Sequence, residues 1–249
     1  MSQPWVTGII TKIEDETANT KRFYFQVPEL DEFEFEPGQF VTLDLPIHEK
    51  PSKRWRSYSV ASWPNGTNCF ELVIVLLEGG AGTTYLFNHV NVGTAIPLRG
   101  PLGHFTLPET IDADLFLICT GTGIAPFRSM SQYIRLHKLS FKNIYLIFGC
   151  RKLNDALYHA EMKQLEKELP NFFYIPTYSR EDASAGVQTG YVHAVYEKLV
   201  NEKKESLAAE TQYPAHFFLC GWKQMIDEAR ERIVALGYDR KAIHLELYG

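Results

Sequence analysis

Alternation with a period of two marks the first part of the chain. Phe23, Phe25 and Val27 alternate with Tyr24 and Gln26, and Val41, Leu43 and Leu45 alternate with Thr42 and Asp44. This period argues for half-buried antiparallel strands. Residues 72–77 are continuously apolar, which suits a strand covered on both faces. Turn pairs punctuate these runs: Pro37-Gly38, Asn65-Gly66, Gly79-Gly80 and Gly100-Pro101. Short antiparallel strands with such turns predict a small β-barrel or sandwich, interrupted by one helix beginning near Thr83.

After Pro108 the rhythm changes. Short apolar runs at 115–119, 144–148, 172–178, 217–220 and 243–247 alternate with helix-like stretches at 127–138, 157–169, 192–200 and 224–236. Strand–helix alternation predicts βαβ units and a parallel sheet. The expected fold is therefore two-domain: a β-barrel over residues 1–108 and an α/β domain over residues 109–249. The polar stretch 201–212 reads as a solvated helix end and loop.

Composition narrows the class. Of 249 residues 45% are hydrophobic and 22% charged, as in a globular protein, and the net charge of −5 argues against a general nucleic-acid or membrane-surface binder. No apolar run approaches the roughly 18 residues that would span a bilayer. The N-terminus has no signal-peptide pattern. Cys69, Cys119, Cys150 and Cys220 are too dispersed for an iron–sulfur or zinc site, so no metal is expected. Three of them end apolar runs, which reads as buried thiols. A cytoplasmic monomer is expected.

Three strings carry candidate chemistry. Thr120-Gly121-Thr122-Gly123-Ile124-Ala125-Pro126 follows a strand and precedes a helix. Its glycines let a phosphate approach the backbone, and the helix beyond offers free N–H groups. Pro126 stands where a full G-x-G-x-x-G would have its last glycine, so alone the string is equally a structural turn. Arg56-Ser57-Tyr58-Ser59 supplies a cation, a ring face and hydroxyls. In a strand Arg56 and Tyr58 point one way and Ser57 and Ser59 the other. Alone it reads first as an ordinary exposed strand with an ion-paired arginine. Gly82-Thr83-Thr84 opens the early helix, with donors for a second phosphate or simply a helix cap.

Together these strings resemble the ferredoxin–NADP⁺ reductase superfamily of flavoproteins. Gly100-Pro101-Leu102-Gly103 is similar to its G-P-x-G. Gly149-Cys150-Arg151 with Asp155, Tyr158 and Glu161 is similar to a second family string, and Cys220-Gly221-Trp222-Lys223-Gln224-Met225 to its C-G-x-x-x-M. Leu245-Glu246-Leu247-Tyr248 resembles the family's acidic–aromatic end, here followed by Gly249.

The resemblance implies FAD held by Arg56, Ser57, Tyr58 and Ser59, with Gly82, Thr83 and Thr84 at its pyrophosphate. It implies a nicotinamide dinucleotide held by Gly121, Thr122, Gly123, Arg151 and Gly221. Ser59, Cys220, Glu246 and Tyr248 become the catalytic candidates. Tyr248 matches an aromatic that covers one flavin face, and Gly249 beyond it departs from the pattern. Tyr178-Ser179-Arg180-Glu181 resembles the string with which relatives hold a 2′-phosphate, so NADP(H) is favoured over NAD(H), with Ser179 and Arg180 as ligands. The implied enzyme exchanges hydride with NADP(H) and single electrons with a separate ferredoxin or flavodoxin. Lys50, Lys53 and Arg54 are candidate docking cations. The alternatives are an NADH-dependent flavin reductase, the reductase component of an oxygenase, and a non-enzymatic redox sensor.

Overall fold

In a computed structural model of the chain, residues 3–182, 186–207 and 212–248 are described, Tyr248 by its backbone alone. The strands are β1 (Val6–Thr17), β2 (Thr20–Gln26), β3 (Phe40–Asp44), β4 (Trp55–Ser59), β5 (Cys69–Val75), β6 (Ala95–Leu102), β7 (Asp114–Thr120), β8 (Ile144–Cys150), β9 (Phe172–Tyr178), β10 (Ala215–Trp222) and β11 (Ile243–Tyr248). The helices are α1 (Ala81–His89), α2 (Ile124–His137), α3 (His159–Glu168), α4 (Val192–Glu205) and α5 (Lys223–Ala235).

The contacts divide the chain into two units. One comprises Met1–Leu107 with Ala125–His137, the other Pro108–Ile124 with Lys138–Gly249. Most residues of α2 thus count with the first unit, although the helix follows β7 in the chain.

In the first unit six antiparallel strands run in the order β4-β3-β6-β1-β2-β5. The ends of that order meet: the Ala61 N–H donates to the Glu71 carbonyl at 2.8 Å, and the Glu71 N–H to Ser62 Oγ at 2.9 Å. The barrel expected from the sequence is therefore present. The alternating residues Phe23, Phe25, Val27, Val41, Leu43 and Leu45 are all buried in its core. Phe25 stacks on Phe70 across the β2–β5 pair, with centroids 5.1 Å apart. Leu86 of α1 is buried in the same core.

Two sequence expectations shift here. Helix α1 starts two residues before Thr83. The covered strand ends at Val75, and Leu76 and Leu77 are exposed. Its coverage on both faces comes from Phe70, Leu72 and Ile74 on one side and from the buried Glu71 and Val73 on the other.

In the second unit five parallel strands run in the order β11-β10-β7-β8-β9. Phe116, Ile118, Phe217 and Leu219 pack one sheet face against Val195, Tyr196 and Val200 of α4 and Ile226, Ala229 and Ile233 of α5. The order reverses at β7: the chain runs outward through β8 and β9, then returns to the other side of β7 as β10 and β11. Open α/β sheets bind ligands at such a reversal, beyond the carboxyl ends of the strands. Helix α4 carries the polar stretch after residue 200 as far as Glu205, and residues 208–211 lie outside the described residues.

Candidate functional site

The flavin candidates lie on β4 and α1. Strand β4 pairs with β3 so that Tyr58 faces Val41 and Arg56 faces Leu43. Tyr58 is half-buried against the barrel core, and burial pushes its phenol up to about 12, with the Arg56 cation pulling the other way. Ser57 shares a 3.0 Å hydrogen bond with Thr42, and Ser59 is buried. The alternation expected for this string is thus the one observed.

Arg56 turns back on its own chain, its Nη1 donating to the carbonyls of Lys53 at 3.1 Å and Trp55 at 2.8 Å. Its stem lies against the first turn of α1. A Cβ on Gly82 would stand 2.9 Å from Arg56 Cγ and 3.1 Å from Nε, so glycine is what lets the cation lie there. Gly80 is the N-cap of helix α1 and there is no side-chain cap, which leaves first-turn N–H groups for an anion. This cradle of N–H groups beside a guanidinium fits the pyrophosphate of FAD. The Thr83 hydroxyl is committed to the preceding loop: it accepts from the Leu77 N–H at 3.1 Å and donates to the Gly80 carbonyl at 3.1 Å. Thr84 is exposed.

The dinucleotide candidates lie at the carboxyl ends of β7, β8, β9 and β10. Gly121–Gly123 form a 3₁₀ turn between β7 and α2. Gly121 takes φ +54°, a left-handed conformation that favours glycine. A Cβ on Gly123 would lie 2.3 Å from the Cys220 carbonyl oxygen, and one on Gly221 would lie 2.5 Å from Thr120 Oγ1. The G-T-G and C-G strings therefore interlock as one structure at the point where the strand order reverses. Gly123 and Gly221 are buried in that contact, which leaves the half-buried Gly121 and Thr122 as the part of the turn a phosphate can approach.

Arg151, Ser179 and Arg180 are drawn together at the ends of β8 and β9. The Ser179 N–H donates to the Cys150 carbonyl and the Arg180 N–H to the Arg151 carbonyl, each at 2.9 Å. Both arginines are exposed.

Cys220 and Glu246 are partners in the β10–β11 register. Cys220 is fully buried and Glu246 half-buried. Tyr248 pairs through its backbone with Trp222, while its side chain and Gly249 lie outside the described residues. Of the three thiols expected to be buried, Cys119 and Cys220 are, whereas Cys150 is only half-buried because β8 ends there.

Sequence reasoning passed over two aromatic side chains at this edge. Trp222, 54% exposed, lies beside Gly121, where an added Cβ would stand 3.9 Å from the indole nitrogen. Tyr191, 71% exposed, precedes α4 directly after Gly190, whose N–H donates to the Tyr178 carbonyl at 3.0 Å. The available signal was a large aromatic directly after a glycine and directly before a helix. Among the described residues no group of three or more His, Cys, Asp or Glu side chains could hold a metal ion, and no helix is long and apolar enough to cross a membrane.

A barrel with a cation-lined helix N-terminus, together with a parallel sheet bearing a glycine turn at its reversal, defines a two-cofactor redox enzyme. Residues 7–107 match the oxidoreductase FAD-binding domain and residues 117–231 the oxidoreductase NAD-binding domain. The chain is 36% identical to ferredoxin–NADP reductase B of Sorangium cellulosum over 87% of its length and 86% of that protein. It is 26% identical to the glycine betaine monooxygenase reductase subunit of Pseudomonas aeruginosa, over 100% of this chain and 66% of the relative, so it spans just under two thirds of that protein. A solved ferredoxin–NADP⁺ reductase from Neisseria gonorrhoeae with bound FAD and NADP superposes with a TM-score of 0.78, at 25% identity and 98% coverage of both chains. The chain belongs to the ferredoxin–NADP⁺ reductase superfamily: it is an oxidoreductase that binds FAD and a nicotinamide dinucleotide.

Proposed function

We propose that this enzyme exchanges hydride with NADP(H) and single electrons with a separate small carrier, a ferredoxin or a flavodoxin. FAD, when bound, would supply hydride chemistry toward the nicotinamide and one-electron chemistry toward the carrier. The chain's own residues bind and orient. Arg56 and the first turn of α1 hold the flavin pyrophosphate, Tyr58 offers a ring face, and Ser57 and Ser59 line the same strand. Gly121 and Thr122 face the dinucleotide pyrophosphate, and the buried Gly123 and Gly221 let the turn seat against β10. We assign Cys220 and Glu246, in register at the ends of β10 and β11, to the nicotinamide end, and Tyr248 to the position just beyond. Lys50 and Lys53, exposed ahead of β4, are assigned to carrier docking, whereas Arg54 is paired with Asp44 at 2.7 Å.

The choice of NADP(H) rests on one observation. Two backbone hydrogen bonds set Arg151 beside Ser179 and Arg180, making a site of two cations and a hydroxyl suited to a dianionic 2′-phosphate. The likeness to an oxygenase reductase subunit across the whole chain favours a second reading, in which the electron acceptor is an oxygenase component. We further infer a monomer working in the cytoplasm, where an exposed thiol such as Cys69 stays reduced.

The test is an anaerobic titration of the purified protein with NADPH and NADH in turn, following flavin absorbance. A yellow protein reduced faster by NADPH is expected. Equal or faster reduction by NADH would remove the nucleotide assignment, and a colourless protein that takes up no FAD would remove the whole reading. Ferredoxin, flavodoxin and oxygenase components offered as acceptors then separate the two partner readings.

A further inference from the structure

A glutamate, Glu181, sits directly beside the proposed phosphate site, where its charge opposes an anion. Resting on the NADP(H) reading above, we infer that Glu181 is a positioning residue: its carboxylate pins the turn after β8, so that Arg151 stays opposite Ser179 and Arg180. Among the described residues three backbone N–H groups donate between the two loops, and the Ser179 hydroxyl adds a bond to the Cys150 carbonyl at 3.4 Å. The Ser179 N–H bonds the Cys150 carbonyl and the Arg180 N–H the Arg151 carbonyl in the turn just beyond the last ladder pair, Cys150 with Tyr178. The third comes after the chain has left the ladder: the Leu153 N–H donates to Glu181 Oε2 at 2.9 Å.

Leu153 opens a 3₁₀ turn, Leu153–Asp155, and N–H groups at the start of such a turn have no partner within it. Two carboxylates serve the N–H groups at this start. Asp155 Oδ2 accepts the Lys152 N–H at 3.0 Å from inside the turn, and Glu181 accepts the Leu153 N–H from the neighbouring loop. Arg151 is thereby bracketed, its own carbonyl held by Arg180 and the turn two residues on held by Glu181. A negative charge near a bound phosphate opposes binding. The carboxylate therefore helps only through the geometry it imposes, and charge and geometry can be separated by substitution.

Glu181→Gln removes the charge and keeps an oxygen that accepts the Leu153 N–H. Glu181→Ala removes both. The FAD-loaded variants are compared by amide hydrogen exchange at Leu153 without nucleotide, and by calorimetric binding of adenosine 2′,5′-bisphosphate and adenosine 5′-monophosphate. In E181A we expect Leu153 exchange faster by about tenfold and bisphosphate affinity lower by about tenfold, as for one lost hydrogen bond to a charged group, with the monophosphate unchanged within about twofold. E181Q should keep the protection and bind the bisphosphate at least as tightly as the parent. The inference is overturned if E181A binds the bisphosphate as well as E181Q does, if E181A loses both nucleotides equally, or if Leu153 exchange is unaltered. A parent enzyme that does not distinguish the two nucleotides would instead overturn the NADP(H) reading, and Leu153 exchange would still decide whether Glu181 pins the turn.

Discussion

Arg128 of α2 and Glu71 of β5 form an ion pair at 3.1 Å with both side chains buried. The same Arg128 Nη1 donates to the Ala61 carbonyl at 2.9 Å, where the barrel closes, and the guanidinium lies 5.3 Å from the Trp63 ring centroid. Removing one partner leaves the other charge buried, which typically costs about 3–5 kcal/mol, whereas replacing both by apolar residues of similar volume is often close to neutral. Arg128→Ala should therefore lower the melting temperature sharply, and the double variant Arg128→Met with Glu71→Leu should recover most of the loss. Thermal unfolding of the two variants checks this, and a double variant no better than the single would contradict it.

Gly123 cannot accept a side chain. Its Cβ would meet three backbone atoms, the Cys220 carbonyl oxygen at 2.3 Å, the Cys220 carbon at 2.6 Å and the Gly221 nitrogen at 2.9 Å, none of which can swing aside. Gly123→Ala should destabilise the parallel-sheet unit by about 1–3 kcal/mol, as overpacking does. It should weaken dinucleotide binding while leaving flavin content intact, since the flavin candidates are on β4 and α1. Flavin absorbance and a dinucleotide titration give the two readouts. Unaltered dinucleotide affinity would disprove the role given to this turn.

The two halves of the fold were legible because their periods differ. Phe23, Phe25 and Val27 alternate on β2, and the strand–helix rhythm after Pro108 places β7 to β11 correctly. The glycine strings were legible because a phosphate and a close backbone contact both demand the absence of a Cβ, yet the sequence could not show that Gly123 and Gly221 lock onto the same two strands. Glu71 was illegible for the opposite reason. A carboxylate in a strand reads as a surface residue, and its partner Arg128 lies 57 residues away on a helix that follows a different sheet. Glu181 stands in a recognisable string, but its hydrogen bond to Leu153 spans 28 residues and leaves no local signal.

Arg180→Ala should raise the KM for NADPH about tenfold or more and hardly move that for NADH. Hydrogen bonds from a charged group contribute about 1.5–3 kcal/mol each, and only NADPH carries the 2′-phosphate that would receive them. Steady-state kinetics with an artificial acceptor measure both constants. An equal loss for the two nucleotides would remove the 2′-phosphate from this edge of the sheet.

The cysteines should differ widely in reactivity. Burial pushes the Cys150 thiol up to about 12, with the carboxylates of Asp155 and Glu181 acting in the same direction. At pH 8 only about one Cys150 in ten thousand is then a thiolate, the reactive form. Cys119 is buried and raised as well, and Cys220 is buried, whereas Cys69 is exposed. Iodoacetamide should label Cys69 first under native conditions, and Cys69→Ser should abolish the fast phase. Peptide mass spectra that show Cys150 modified as quickly as Cys69 would contradict the assignment.

Acid should destabilise the second unit through its histidines. His193 is buried on α4, its Nδ1 3.1 Å from the Tyr196 hydroxyl and its Nε2 3.5 Å from Glu228 Oε2. Burial holds its pKa below the ordinary 6.5, and Arg232 acts in the same direction while Glu228 and Glu197 pull upward. Arg232 bridges both of those carboxylates, which limits their pull. His244 is lowered too, by burial and by His216 at 3.3 Å. In each case the folded state stays neutral while the unfolded chain takes up a proton near pH 6.5. The unfolded state then binds more protons, so stability is full above that pH and falls as pH drops through 6.5 toward the lower folded value. The melting temperature should decline between pH 7.5 and 5.5, a window above the range where ordinary carboxylates titrate. His193→Gln should start lower at pH 7.5 and lose less across the window, because it removes one proton from the balance. Differential scanning at the two pH values decides it, and a variant with the full parental slope would show that His193 contributes nothing to the acid sensitivity.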